Sequence, residues 1–495
     1  MNRLSYGVLM TLLAWGAYAA PGQVLAGSAL QAADPELSLK NPLEGSAMAS
    51  ETTLADQTDV AVTVYNNDRA LVRDRRQVKL LPGETSLKFM DVAERIRPET
   101  VSLKSLSSPG KLRILEQNYE FDLISPDKLM EKYVGRDVRL INQNNDFNFY
   151  EVNAKLLSVN GGLVYQVDGD IYLGHPGTVV LPEIPEELIA KPSLIWLLDN
   201  DGADHEVEAT YLTGGISWKA DYVLSLSQDD TTMDLEGWVT LGNQSGATYR
   251  DAQLKLVAGE INVVREEMAI GVRMKAGRAA AMAPPVPMRE ETFAEWHLYT
   301  LPRRTTIKQK QSKQVSLLSA TEVATTKIYE YRGNVSYYSQ RVPPMKDEKV
   351  GVFLLFKNEE ENHLGMPLPA GIMRVYKEDS EGMLQFAGED QIKHTPKDEE
   401  VRLNLGNAFD IVGERTQTDY RKLNDRTHEA AFDVVIRNHK EEDIVVDVVE
   451  PMPGDWRVIE ESERHEKKDA HTAIFHLAVP KDGEAKLSYR VRVTF

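Results

Sequence analysis

Between Ala203 and Val264 apolar and polar side chains alternate with period two, and no other feature narrows the fold as far. Val207, Ala209 and Tyr211 alternate with Glu208 and Thr210. Ala220, Tyr222, Leu224 and Leu226 alternate with Asp221 and Ser225, and Leu235, Gly237, Val239 and Leu241 with Glu236 and Thr240. Successive side chains of an extended strand point to opposite faces, so this pattern buries one face and solvates the other only as a β-sheet. The breaks at Thr213-Gly214-Gly215, Gln228-Asp229-Asp230 and Gly242-Asn243-Gln244-Ser245-Gly246 carry turn chemistry. They predict consecutive hairpins, that is, a central β meander over 186–264.

Trp196, Trp218 and Trp238 fall in or beside this stretch, and each brings a large apolar area suited to a sandwich core. Trp238 has the opposite parity to Leu235, Val239 and Leu241, so it belongs with Glu236 and Thr240. A second layer from residues after Thr292 is expected to cover it. If that face is open instead, Trp238 is the candidate binding surface, the one site residue the sequence offers.

The alternation resumes on both sides. Strand-like runs at Val60–Val64, Val78–Leu81, Ser86–Phe89, Val101–Leu106 and Leu112–Leu115 predict an N-terminal β domain over 58–125. Ser125-Pro126-Asp127 has the order of an N-cap and first turn, predicting one short helix from Pro126 to Tyr133. The closely spaced turns that follow predict a small SH3-like barrel, the helix and barrel together filling 126–185. Residues 265–291, with Ala279-Ala-Ala-Met-Ala-Pro-Pro-Val-Pro-Met288, have neither period and read as a linker or loop. Additional strands over 292–345 are expected to pack on the central domain, and 346–495 to form an immunoglobulin-like sandwich. The fold class is therefore all-β, with tandem antiparallel sandwich domains.

Residues 1–26 read as a secretory signal peptide. Arg3 supplies the positive end, Gly7 to Ala20 the apolar run, and Ala17-Tyr-Ala19 or Val24-Leu-Ala26 the small-residue cleavage site. Residues 27–57, rich in Ala, Ser, Glu and Pro, read as a flexible leader. No later stretch is long and uncharged enough for a spanning helix. The chain has no cysteine, so an exported fold would be held by its core rather than by disulfides.

Several segments resemble one family. Tyr211-Leu-Thr-Gly-Gly-Ile-Ser-Trp218-Lys-Ala-Asp-Tyr222, Gly237-Trp238 and Asn243-Gln-Ser-Gly-Ala-Thr-Tyr249-Arg-Asp-Ala-Gln-Leu-Lys-Leu-Val257-Ala-Gly259 look like the signature of the bacterial domain-of-unknown-function family numbered 4139, the mucoidy-inhibitor-like proteins. Val64-Tyr-Asn-Asn-Asp-Arg-Ala-Leu-Val72, Arg374-Val-Tyr-Lys-Glu-Asp379 and Val449-Glu-Pro-Met-Pro-Gly-Asp-Trp456 extend the likeness over nearly all of the expected mature chain. The resemblance implies a role in envelope or exopolysaccharide physiology and transfers no catalytic residue.

The net charge of −19 argues against nucleic acid or another polyanion as partner. Ten histidines form no His-Glu-x-x-His motif, and His465 and His471 sit in a charged stretch that reads as solvated surface. There is no Gly-x-Ser-x-Gly elbow. Asp199-Asn-Asp201-Gly-Ala-Asp204 spaces oxygens as a calcium loop does but has no closing glutamate, and a hairpin turn accounts for it. Met268, Met274, Met282 and Met288 could offer thioethers to Cu(I), but their irregular spacing reads as plain linker. Leu487, Tyr489, Val491, Val493 and Phe495 alternate like the last strand of an outer-membrane barrel or of an ordinary sandwich.

No catalytic residue, metal site or cofactor is therefore expected. The sequence points to an exported, non-catalytic protein of the bacterial periplasm or cell surface that binds an envelope protein or polysaccharide. A glycan-active hydrolase with paired carboxylates and an outer-membrane barrel are the alternatives.

Overall fold

The computed structural model describes residues 50–143, 149–174, 177–185, 188–202, 204–259 and 288–495, which fold mostly as strands around three apolar clusters. The stretches expected as signal peptide (1–26), as leader up to residue 49 and as linker over 265–287 lie outside the described residues.

The largest core is shared by three sheets. One has the order Gln311–Ala324, Thr232–Asn243, Ile216–Leu226, Gly371–Glu378 and Leu384–Ile392. A second runs Arg289–Phe293, Trp296–Thr300, Tyr249–Ala258, Gln57–Tyr65, Arg69–Lys79, Asp204–Thr213 and Ser102–Ser105. The third comprises Ser50–Thr52, Gly83–Met90, Ser193–Asn200 and Leu112–Glu120. All three contribute to one cluster, which contains Val62, Val72, Phe89, Trp196, Trp218, Tyr222, Leu235 and Val239. Each fully buried Val, Leu or Phe among them contributes about 1.5–3 kcal/mol relative to exposure. The N-terminal strands, the central run and the strands after Arg289 therefore pack around one shared apolar core.

The central run is a meander in only one place. Ile216–Leu226 and Thr232–Asn243 form an antiparallel hairpin. Asp204–Thr213 instead pairs with Arg69–Lys79 and Ser102–Ser105, and Tyr249–Ala258 pairs in parallel with Gln57–Tyr65. The turns at Gly214-Gly215 and Gln244–Gly246 are thus arches that carry the chain between sheets. They stack on each other: Gln244 donates its N–H to the Gly215 carbonyl, and Gly215 donates to Asp68 Oδ1 at 3.1 Å. Gly215 has φ +80°, and a Cβ there would lie 2.6 Å from the Gln244 carbonyl oxygen, so only glycine fits. Arches and hairpins use the same turn residues, which is why parity alone does not separate them.

Part of the expected leader and linker is ordered. Ser50–Thr52 pairs in parallel with Gly83–Met90, and Thr53 caps the short helix Leu54–Asp56 through a capping box. The buried Arg76 guanidinium donates to the Thr52 carbonyl at 3.1 Å, bonds Asp74 and lies 3.6 Å from the Phe89 ring centroid, which anchors this segment. At the other break, buried Met288 donates its N–H to the Leu317 carbonyl, and Arg289–Phe293 pairs with Trp296–Thr300.

Over 126–185, Ser125 accepts from the Lys128 N–H and caps the helix Pro126–Lys132. The expected SH3-like barrel is an open five-stranded sheet in the order Asp170–Leu173, Val164–Val167, Phe149–Ser158, Asp137–Gln143 and Thr178–Val180. Tyr133, with Met130 beside it, packs against Val138, Leu140, Leu156 and Tyr165. The helical segment therefore covers the face that barrel closure would have buried.

The C-terminal sandwich is a nine-stranded sheet folded around Phe432, Val434, Phe475, Leu487, Tyr489 and Val491. Its limits differ from 346–495. Thr326–Arg332 joins it by pairing with Met345–Lys357 and, in parallel, with Ile444–Pro451. The hairpin 371–392 leaves it for the Ile216–Leu226 strand. Leu487, Tyr489, Val491 and Val493 point into the core, the reverse of a lipid-facing barrel strand, and no sheet closes on itself among the described residues.

Candidate functional site

Trp238 lies on the second strand of the five-stranded sheet, opposite Asp221 on one neighbour and Ser316 on the other. Its odd-numbered neighbours Leu235, Val239 and Leu241 fill the core. Gly237 leaves space there for the Tyr222 ring and Leu318, since a Cβ would approach them to 3.3 and 2.9 Å. Tyr222 in turn donates to the Pro369 carbonyl at 2.8 Å and ties down the start of the Gly371–Glu378 strand.

Trp238 is half-buried, and its face is open. Glu236, Lys219, Gln314 and Gln391 on the same face are exposed, and Val223, Thr240, Ile372, Arg374 and Tyr376 are half-buried. This corrects the expectation that strands after Thr292 cover the indole. Gln311–Ala324 extends the sheet edgewise by pairing with Thr232–Asn243, so it lies beside Trp238 and not over it. Among the described residues Asp221 and Ser316 are the only buried side chains along these rows.

Asp221 anchors a polar ladder across all five strands. Gln314 Nε2 donates to Thr240 Oγ1 at 3.2 Å, and Thr240 Oγ1 donates to Asp221 Oδ2 at 2.9 Å. Lys219 and Arg374 both donate to Asp221 Oδ1, at 3.2 and 3.1 Å, and Arg374 Nε pairs with Glu389 at 3.1 Å. Burial acts to raise the Asp221 pKa, but the hydrogen bonds from Arg374 and Thr240 and the Lys219 ammonium outweigh it, holding the carboxyl below its usual range. Exposed ion pairs add little stability. Here the buried carboxylate fixes the surrounding donors in position, which leaves pre-oriented polar groups beside the half-buried indole.

At the far end of the same face, Tyr376 and Phe386 pair edge to face with centroids 5.7 Å apart. Phe386 is 58% exposed and Leu384 53%.

The other sequence candidates take structural roles. Asp199 pairs with Arg113 at 2.6 Å while its neighbour Asn200 points inward, so the acidic loop does not converge. His465 bonds Glu461 at 2.6 Å and packs on Trp456 and Phe475, and His471 is placed by its N–H to Asp469. Of the four methionines, Met288 is buried and Met268, Met274 and Met282 lie outside the described residues. No group of three or more His, Asp or Glu side chains among the described residues could hold a metal.

Sequence reasoning missed a buried relay of Ser105, His205 and Asn200. Asn200 Nδ2 donates to the Leu80, Leu81 and Gly202 carbonyls, so its Oδ1 accepts from His205 Nε2–H at 2.8 Å. His205 Nδ1 then accepts the Ser105 hydroxyl at 2.8 Å. The order resembles a nucleophile and base, but His205 is wholly buried, and the relay ties together the strands Ser102–Ser105, Asp204–Thr213 and Ser193–Asn200. A shallow hollow of about 540 Å³ on the small sheet is lined by Asp137, Asp168, Arg139 and Lys155 without an aromatic side chain. Flat sheet-face recognition needs no such concavity, so the hollow does not displace Trp238 as the better candidate.

The fold and the open face define an all-β sandwich protein with an aromatic and polar sheet surface. No protein-family model matches the chain, and no curated protein matches it, so neither comparison adds support to the family resemblance.

Proposed function

We propose that this is an exported, non-catalytic binding or scaffolding protein of the bacterial cell envelope, and that the face around Trp238 binds envelope polysaccharide. The observation that carries the reading is the half-buried indole on an open sheet face beside the fixed ladder Gln314, Thr240, Asp221, Arg374 and Glu389. Aromatic faces stack on the apolar faces of sugar rings, and oriented carboxylate, amide and guanidinium groups satisfy ring hydroxyls. The likeness to mucoidy-inhibitor-like proteins and the signal-peptide pattern agree with such a location. A paired-carboxylate hydrolase has less to recommend it, because the hollow holding Asp137 and Asp168 has no surface for sugar stacking.

Binding of the purified protein to immobilised neutral polysaccharides, compared with Trp238→Ala, tests the reading. Retention of the wild type, lost in a variant that still melts cooperatively, supports it. Equal retention of both proteins, or of neither, counts against it.

A further inference from the structure

We infer that the face carries a second stacking position at Tyr376 and Phe386, so that it holds a linear, neutral glycan along its length and not a single terminal sugar. The inference rests on the glycan-binding reading of Trp238 and deepens it. Ile372 shares a row with Asp221 and Trp238, and Tyr376 lies two rows further along the same strand and opposite Ser225. With rows about 6.7 Å apart and strands about 4.8 Å apart, the two aromatic positions are separated by about 16 Å across the sheet. One sugar ring cannot bridge that interval, whereas a short oligosaccharide can.

The surface between the ends alternates in character as an amphipathic ligand requires. Val223 and Ile372 are half-buried apolar side chains, and Arg374, paired with both Asp221 and Glu389, crosses between them. The Phe386 ring is held by its edge-to-face contact with Tyr376, so its exposure comes with a defined orientation.

Charge selects the class of occupant. Asp221, Asp234, Glu236 and Glu389 on this face outnumber Lys219 and Arg374, and the whole chain carries −19. Such a surface repels uronate-rich or phosphorylated chains and accepts the hydroxyl and amide donors of neutral ones. Linear β-1,4-linked chains of glucose or N-acetylglucosamine meet these requirements.

Calorimetric titration with β-1,4-linked N-acetylglucosamine and glucose disaccharides and hexasaccharides, and with a uronate hexasaccharide, tests the inference. The wild type should bind one of the neutral hexasaccharides at least tenfold tighter than its disaccharide and the uronate not measurably. Phe386→Ala should lose that length-dependent gain while keeping the disaccharide affinity, and Tyr376→Ala, which removes the supporting ring, should behave alike. A hexasaccharide bound no tighter than its disaccharide, or a gain intact in both variants, overturns the second position and leaves the Trp238 reading standing. Absence of binding to every neutral oligomer, or binding indifferent to Trp238→Ala, overturns both.

Discussion

Arg374 reaches Asp221 across a parallel strand pair, Nη1 to Oδ1 at 3.1 Å, joining two hairpins that are remote in the chain. The polar groups of the open face gather on this contact: Thr240 and Lys219 meet the same carboxylate, and Glu389 meets the same guanidinium.

The pH dependence of that contact is predictable. The Asp221 carboxyl sits below its ordinary value of 3.8 when folded, so in that interval the unfolded chain binds more protons than the folded one. Its stabilising contribution is present above pH 3.8 and is lost as pH falls through the folded value. Asp221→Asn should lower the melting temperature at neutral pH and converge with wild type at the acid end. Curves that stay parallel throughout would contradict the assignment.

In the C-terminal sandwich, Arg415 and Glu450 are both fully buried and paired at 2.5 Å, and Tyr338 donates to the same carboxylate at 2.8 Å. Removing one partner strands a charge in an apolar core. Glu450→Ala should destabilise this sandwich by about 3–5 kcal/mol. The Arg415→Met, Glu450→Leu double variant should lose less than the single one. Denaturant unfolding followed through Trp456, which sits in this core, reads the difference.

The arch at Gly215 offers a sharper backbone test. Gly215→Ala forces a side chain to positive φ at a cost of about 1–2 kcal/mol, before adding the overlap with the Gln244 carbonyl. A melting temperature unchanged by this variant would mean that the two arches do not stack as described.

How far the sequence revealed this structure depended on the kind of information needed. Strand faces were legible, because Val62, Val64, Leu235, Val239, Leu487 and Val491 obey parity and are all buried. Parity also set Trp238 apart from its core neighbours. Partners were not legible: the parallel pairs that set Val62 beside Leu254 and Asp221 beside Ile372 join distant segments that no turn connects. The ladder from Gln314 to Glu389 was hidden for the same reason. The helix Pro126–Lys132 was visible from its cap, but not that its end would cover the small sheet in place of barrel closure.

His205 provides a test near neutral pH. Burial holds its imidazole pKa below the usual 6.5, with nearby Asp204 opposing and Lys111 reinforcing the shift. Below pH 6.5 the unfolded chain gains a proton that the folded relay with Ser105 and Asn200 resists, so stability falls as pH drops until the folded pKa is passed. His205→Gln should flatten the melting profile in that window. An unaltered profile would show that the relay does not hold the ring neutral.

The central claim is that Trp238 is a ligand-contacting residue on an open sheet face. Its most direct measurement is calorimetric titration of wild type and Trp238→Ala with a neutral β-1,4-linked hexasaccharide, each protein first checked by thermal melting. The account predicts binding by wild type and at least a tenfold loss in the variant, with a stability loss smaller than the about 3–5 kcal/mol typical of truncating a core tryptophan. Equal affinity in the two proteins, or a core-sized loss of stability without any binding by wild type, would contradict it.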